Sequence, residues 1–231
     1  MASTTTGWKH RFFALLLVTG NAYGAHPLLT EDTGTQGKGG WQLEVNGERQ
    51  KDPQPGLDVP PLRAIQSGTT LSYGLTETID AKIDVPYLRH EGILDVAVGF
   101  KWRFYEKDEL SFGVQAGLFL PTGDEQKGLG TGKTNAGVLG IASWQGERWE
   151  FHSSFGARSN ENVIEQRDWL GHFSAAAGYR LFKPLRLLVD FSWDSNPEVE
   201  SGAFFNTVVG FIWSVTKDFD LDGGFRRGND P

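Results

Sequence analysis

The chain of 231 residues has no cysteine, a single methionine and no excess of positive charge. The lack of cysteine excludes disulfide bonds, thiolate metal sites, cysteine nucleophiles and a lipid anchor on an N-terminal cysteine. The formal net charge of -7 argues against nucleic acid as a partner, because phosphate binding requires a basic surface. No apolar run reaches the roughly 18 residues that a transmembrane helix needs. Any membrane span in this chain must therefore be built from strands.

The N-terminus has the order of charged, apolar and small residues that is typical of a secretory signal peptide. Basic residues at 9–11 precede an apolar run at 12–18, and small residues follow. Cleavage after Ala22 and cleavage after Gly24 both suit this pattern. We therefore predict a signal peptide over residues 1–24, which exports the chain from the cytoplasm. Residues 25–40 are polar and rich in glycine, which predicts an irregular segment at the periplasmic mouth or folded into the lumen.

Alternation of apolar and polar residues dominates the chain from residue 41 onward. In the stretch 110–120, Phe112, Val114 and Leu118 fall on one face, while Ser111 and Gln115 fall on the other. A period of two residues predicts a β-strand. About eleven such stretches follow one another, each about ten residues long, which is the length of a tilted strand that crosses a bilayer.

The connections alternate between short and long, as in outer-membrane barrels with short periplasmic turns and longer outer loops. Residues 89–92 form the one short connection on the outer side. With the short turns assigned to the periplasm, aromatic residues form two belts at the strand ends, as interfacial aromatics do. The predicted girdle contains Trp41, Trp102, Phe104, Trp144, Trp149, Tyr179, Trp213 and Phe219 on the periplasmic side, and Tyr87, Trp169, Trp193 and Phe205 on the outer side.

The predicted fold is all-β, an antiparallel up-and-down transmembrane β-barrel of about 12 strands over residues 41–231. About 11 strands are visible, and because bacterial single-chain barrels have even strand numbers, the last strand is predicted to be absent. A lumen-crossing N-terminus or a false second strand would also restore the parity. A soluble secreted β-barrel or sandwich whose apolar face forms the core is the alternative. It is disfavoured because a barrel larger than about eight strands leaves a lumen that side chains do not fill.

Two long segments, HPLLTEDTGTQGKGGWQLE (residues 26–44) and LPTGDEQKGLGTGKT (residues 120–134), carry a family resemblance. Together with DLDGGFRRGND near the end, they resemble the outer-membrane proteins of the phenol-degradation meta-pathway family. The resemblance implies a single β-barrel that acts as a transporter of aromatic or other hydrophobic compounds. It also implies a final strand that ends in an aromatic residue, and the chain has none after residue 230.

Charged and histidine side chains on the polar strand faces are the candidate lumen residues. Their mixed signs either select solutes or form cross-strand ion pairs that fill a narrow pore. The candidates are Asp80, Lys82, Asp84, Asp95, Lys101, Arg103, Glu150, His152, Arg158, His172, Arg180, Arg186 and Asp190.

Sequence motifs for other chemistry lack their required context. Residues 128–134 (GLGTGKT) are similar to a phosphate-binding loop, but Lys127 stands where that pattern needs glycine, and a strand pattern follows instead of a helix. We interpret them as part of a mobile outer loop that can fold inward. His152 with Ser154 and His172 with Ser174 are same-face pairs without an evident third member to orient the base. No cofactor is predicted, and the ligand spacing supports no metal site.

We therefore predict a non-enzymatic channel or transporter in the bacterial outer membrane for small molecules, with aromatic or hydrophobic compounds as candidates. The predicted partners are outer-membrane lipid, a small-molecule solute and the barrel-assembly machinery of a Gram-negative cell. Two alternatives stay open. One is an outer-membrane enzyme that uses lumenal His and Ser residues, and the other is a structural barrel with a plugged lumen.

Overall fold

The computed structural model describes residues 9–19, 28–52, 62–163 and 165–228, which form an antiparallel sheet and its connections. One short 3-10 turn, Glu125–Lys127, interrupts the β-structure. Among these residues, no helix is long and apolar enough to cross a membrane. The strands of the described residues are β1 (Lys9–Thr19), β2 (Trp41–Asp52), β3 (Leu62–Gly74), β4 (Ile79–Leu88), β5 (Gly92–Ile93), β6 (Val96–Lys107), β7 (Leu110–Leu120), β8 (Asn135–Gln145), β9 (Trp149–Ser159), β10 (Trp169–Phe182), β11 (Leu185–Asp194), β12 (Phe204–Thr216) and β13 (Phe219–Gly228).

Neighbouring strands pair in antiparallel fashion along the chain from β6 to β13, and β4 pairs with both β3 and β6. β1 lies between β13 and β2, and β2 pairs with β3. Apart from the two-residue β5, each described strand thus has a neighbour on both sides, and the pairings form a ring. This arrangement confirms the predicted antiparallel barrel of about twelve strands.

β1 takes the place in the ring that the sequence analysis assigns to an absent strand. Its register joins Lys9 to Gly228 of β13 and Thr19 to Gln42 of β2. β1 therefore runs in the direction that a strand following β13 would have. These residues belong to the predicted signal peptide. Its removal from the exported chain stays a prediction.

The two ends of the barrel differ in their connections. Residues 75–78, 108–109, 146–148, 183–184 and 217–218 make short turns at one end, which we call the turn end. Residues 89–95, 121–134, 160–168 and 195–203 make the connections at the opposite loop end. The pairing of β2 with β3 continues to Asp52 and Leu62. Backbone pairing therefore extends β2 and β3 beyond the apolar alternation of residues 41–46, through a polar sequence.

The barrel is apolar outside and polar inside. Large apolar side chains are exposed along the outer face, whereas buried polar and charged residues outnumber buried apolar ones in the described part of the chain. Trp41, Trp102, Phe104, Trp144, Trp149 and Trp213 are exposed near the turn end, and Tyr87, Trp169 and Phe205 are exposed near the loop end. Tyr179, Trp193 and Phe219 are half-buried. This is the reverse of the usual arrangement in a soluble protein, which buries most of its aromatic residues.

Candidate functional site

The described residues directly before β2, residues 28–40, lie inside the barrel. We call residues 28–40 the inner segment. Leu28 at its start is only 8% exposed and packs in one buried cluster with Ala176, Leu188 and Ile212. These three residues belong to β10, β11 and β12. Burial of apolar surface in this cluster anchors the beginning of the inner segment on one wall of the barrel.

Asp190 of β11 holds the inner segment by three hydrogen bonds. Its Oδ2 accepts from the backbone N–H groups of Leu29 (2.6 Å) and Thr30 (2.8 Å). Its Oδ1 accepts from the Thr30 hydroxyl (2.9 Å). Asp190 is 1% exposed, so hydrogen-bond donors of the inner segment replace water around its carboxylate and stabilise it.

The inner segment continues to the opposite wall. The backbone N–H of Thr33 donates to Ser143 Oγ of β8 (3.1 Å), and the hydroxyls of Thr33 and Ser111 of β7 are 2.6 Å apart. Further along, the backbone N–H of Gln36 donates to both carboxylate oxygens of Asp80 in β4 (3.1 and 3.0 Å). β11 and β4 lie on opposite sides of the ring, so the inner segment is bonded to both sides of the lumen.

The inner segment leaves the lumen at the turn end through a close backbone contact. Gly39 N–H donates to the Gly74 carbonyl (2.8 Å), and Gly74 N–H donates to the Gly40 carbonyl (2.9 Å). A side chain at Gly74 would overlap the carbonyl oxygen of Gly37. Glycine is needed here because the two backbones lie in direct contact.

Glu31 places a carboxylate of the inner segment between two lysines of the wall. Its Oε1 lies 3.0 Å from Nζ of Lys82 in β4, and its Oε2 lies 3.1 Å from Nζ of Lys101 in β6. Lys101 also donates to the Asp32 carbonyl oxygen (3.1 Å). Each ammonium group therefore has an acidic partner that comes from the inner segment.

On the turn-end side, polar pairs fill the remaining lumen. Arg186 Nη1 is 3.3 Å from Glu150, and its guanidinium is 3.9 Å from Asp220. His152 Nδ1 is 2.9 Å from the Ser143 hydroxyl. Cross-strand ion pairs and hydrogen bonds thus occupy part of the lumen near the turn end, where Glu150, His152 and Asp220 are buried.

On the loop-end side, the lumen widens into a cavity of about 690 Å³, which we call the chamber. Leu29 and Glu31 of the inner segment form its floor, and Pro197 marks its extent toward the loop end. Its wall includes the apolar side chains of Leu139 and Leu170. A cavity of this size can hold one small organic molecule with water.

Arg158 of β9 is exposed to the chamber. Its guanidinium carbon lies 5.2 Å from the centre of the Phe119 ring of β7, within the range of a cation–π interaction. Asp194 and Asp95 attract it electrostatically, but among the described residues no carboxylate lies within 4.0 Å of its nitrogens. Its donors therefore face the chamber without an ion-pair partner.

His172 of β10 forms a hydrogen-bonded row with Asp194 and Ser174. Its Nδ1 is 2.7 Å from Asp194 Oδ1, and its Nε2 is 3.0 Å from Ser174 Oγ. The sequence interpretation that the His172 pair has no third member was wrong, because Asp194 lies directly across from His172 in the β10–β11 register. Ser174 nevertheless has 0% exposure, so its hydroxyl is closed to any substrate in this structure.

The remaining predicted lumen residues have local partners. Asp84 accepts from the Thr70 hydroxyl (2.6 Å), Arg103 pairs with Glu106 (3.2 Å), and Arg180 donates to the Glu147 carbonyl at the turn end (3.1 Å). These contacts join neighbouring parts of the wall and do not involve the inner segment.

Asp95 binds the long connection 121–134. Its carboxylate accepts from the backbone N–H groups of Gly123 (3.1 Å) and Thr131 (2.9 Å) and from the Thr131 hydroxyl (3.2 Å). In the same connection, a hydrogen bond from the Lys127 ammonium lowers the pKa of Asp124. The carboxylate of Asp95 thus forms its hydrogen bonds with the connection 121–134. The glycines of the phosphate-loop-like motif belong to a loop that these bonds hold in a folded conformation.

Several functional residues escaped the sequence analysis. Leu28, Glu31 and Asp32 lie in a segment without periodicity, and only its glycine-rich polarity indicated a position in the lumen. Leu139 and Ile141 break the apolar alternation of β8 because they point inward, where Ile141 is buried. Such breaks in the pattern were the available signal for apolar patches of the lumen wall.

The family model described as "Putative MetA-pathway of phenol degradation" matches residues 26–230. The chain belongs to this family. A comparison with curated proteins gave no match.

Among solved structures, the chain is similar to one described as "NanC porin structure in rhombohedral crystal form". The TM-score is 0.51 with 9% sequence identity, over 94% of this chain and 97% of that chain. At this identity the similarity concerns the fold alone. This member of the phenol-degradation family therefore has a porin-like barrel, with an inner segment and a chamber in its lumen.

Proposed function

We propose that the protein is an outer-membrane channel that facilitates the passage of small molecules. The turn end faces the periplasm and the loop end faces the outside. The observation that carries this proposal is the inverted distribution of side chains, apolar on the outer face and polar in the lumen. A barrel in lipid needs an apolar exterior, and a polar interior suits water and solutes.

The aromatic residues at the strand ends support the placement in lipid. Trp169 is 68% exposed and Trp149 is 49% exposed, at opposite ends of the barrel. Exposed tryptophans in water have little to stabilise them, whereas at the membrane interface their rings lie among headgroups. Export by a cleaved signal peptide, contact with outer-membrane lipid and insertion by the assembly machinery are parts of this proposal.

The size and lining of the chamber support the proposal that the molecule that passes is small. Its volume of about 690 Å³ and its apolar wall residues Phe119, Leu139 and Leu170 suit a molecule with an aromatic or other apolar part. The inner segment forms the floor, so a solute that enters from the loop end meets Glu31 and its two lysines. Passage therefore requires the inner segment to shift or leave the lumen.

The channel is tested by reconstituting the purified full chain in liposomes and measuring swelling in isotonic solutes. We expect swelling with arabinose above that of empty liposomes, and less with the larger raffinose. Asp190→Ala should increase the rate, because it removes three bonds that hold the inner segment. Lys217→Gln, in an exposed turn, is the matched control and should leave the rate unchanged. No swelling with either the original chain or Asp190→Ala would contradict the proposal.

A hydrolase is the second candidate because His172 connects Asp194 and Ser174 in the order of a catalytic triad. The buried Ser174 hydroxyl opposes this reading. An esterase assay on the purified chain decides between them. Activity that is lost in both Ser174→Ala and His172→Ala would favour the enzyme over the channel.

A further inference from the structure

We propose that the chamber contains a binding site for a small organic anion with an apolar body, in which Arg158 binds the anionic group. The proposal deepens the channel function and rests on it, because the solute must reach the chamber. It is carried by the one arginine of the chamber, its contact with Phe119 and the cavity in front of both.

The other cationic side chains in the described part of the lumen wall that are named below already have ion-pair partners. Lys82 and Lys101 share Glu31, Arg186 binds Glu150, and Arg226 binds Glu48. Arg158 instead has the Phe119 ring at 5.2 Å, which leaves its N–H donors available. Because a guanidinium group matches the geometry of a carboxylate, a solute carboxylate can form two parallel hydrogen bonds with it.

The two acidic groups that attract Arg158 are occupied by other donors. Asp194 binds His172 Nδ1 (2.7 Å) and accepts from the Ser192 hydroxyl (3.2 Å), while Asp95 binds the connection 121–134. Asp194 also lines the chamber, as do Glu31 and Asp84. A bound anion therefore has to overcome repulsion from these carboxylates, and its affinity depends on direct hydrogen bonds with the guanidinium of Arg158.

The apolar part of the ligand has its own surface in the chamber. Phe119 lies beside the guanidinium, and Leu139, Leu170 and Leu29 also line the cavity. A carboxylate on Arg158 would place an attached ring or chain against these side chains and remove their surface from water. The site therefore favours an anion with an apolar body over both a bare anion and a neutral molecule of the same shape.

Equilibrium binding measured by calorimetry on the detergent-purified full chain tests this site with benzoate, benzyl alcohol and acetate as probes. We expect benzoate to bind, with acetate and benzyl alcohol at least about tenfold weaker. Arg158→Gln should weaken benzoate about tenfold or more without changing the affinity for benzyl alcohol, and Arg158→Lys should retain part of the benzoate affinity. Phe119→Ala should weaken benzoate and leave acetate unchanged.

The matched control is Arg180→Gln, which removes the same charge from the turn end of the barrel. It should leave benzoate binding unchanged, and the gel shift of each variant before and after heating shows that the barrel is folded. Absent benzoate binding, or equal binding by Arg158→Gln, would overturn the proposal. Swelling of liposomes in arabinose, measured in parallel, distinguishes the binding-site proposal from the channel proposal. Continued swelling without benzoate binding that depends on Arg158 would overturn the binding site alone. Absence of swelling overturns the channel.

Discussion

Replacement of Asp190 should release the inner segment from the lumen. The carboxylate accepts hydrogen bonds from two backbone N–H groups and one hydroxyl of the inner segment, at 2.6 to 2.9 Å. A hydrogen bond to a charged group contributes about 1.5–3 kcal/mol. The lower value for each of the three bonds gives about 4.5 kcal/mol for Asp190→Ala, which is an upper value because bonds that share one carboxylate are not additive. This free energy corresponds to roughly a thousandfold shift in the equilibrium between the bound and released inner segment.

The absence of cysteine from the chain makes this release measurable by labelling. Thr33 is 4% exposed in the inner segment, so Thr33→Cys should react slowly with a water-soluble maleimide. Combined with Asp190→Ala, the same cysteine should react at least about a hundredfold faster, because labelling follows the population of the released state. The three bonds share one carboxylate and are not additive, which is why the expected acceleration is below the full thousandfold.

The control for lumen charge is Asp220→Asn, which removes a buried carboxylate that lies 3.9 Å from Arg186 and forms no hydrogen bond with the described residues of the inner segment. Its labelling rate should stay within about threefold of that of Thr33→Cys alone. Equal labelling in the Asp190→Ala and Asp220→Asn backgrounds, with both barrels folded, would refute the role of Asp190 as the clamp of the inner segment.

Three further predictions concern the rim, the hydrogen-bonded row and the N-terminus. Gly74→Ala should lower the free energy of unfolding by about 1–3 kcal/mol, because the added methyl group would displace the Gly37 carbonyl. It should also accelerate labelling of Thr33→Cys, and unchanged labelling would contradict this close contact. His172→Ala should leave the liposome swelling rate within about twofold, because His172 lines the chamber but bonds to the wall and not to the inner segment. A strong decrease would show that its imidazole controls passage. Intact mass analysis of the protein from outer membranes should show a chain that begins near residue 23 or 25, and a retained β1 would show that residues 9–19 serve as a strand instead of a signal peptide.

The sequence by itself determined the strands and the faces of the barrel, because alternation has a period of two and follows from local geometry. The pattern around Phe112 and Val114 located β7, and loop lengths located the two ends. The exposed aromatic residues at strand ends were predictable in the same way, since alternation and loop length give the position of each one locally.

Only the tertiary structure decided what occupies the lumen. Contacts between Asp190 and Thr30, or between Glu31 and Lys82, join residues far apart in the chain, and no local pattern encodes them. The same holds for Asp194, which reaches His172 because two strands pair in one register. The inner segment lacks periodicity because each of its residues meets a different part of the wall. The barrel wall could thus be predicted from the sequence, whereas the closed lumen, the chamber and the free guanidinium of Arg158 follow from how the wall and the inner segment fit together.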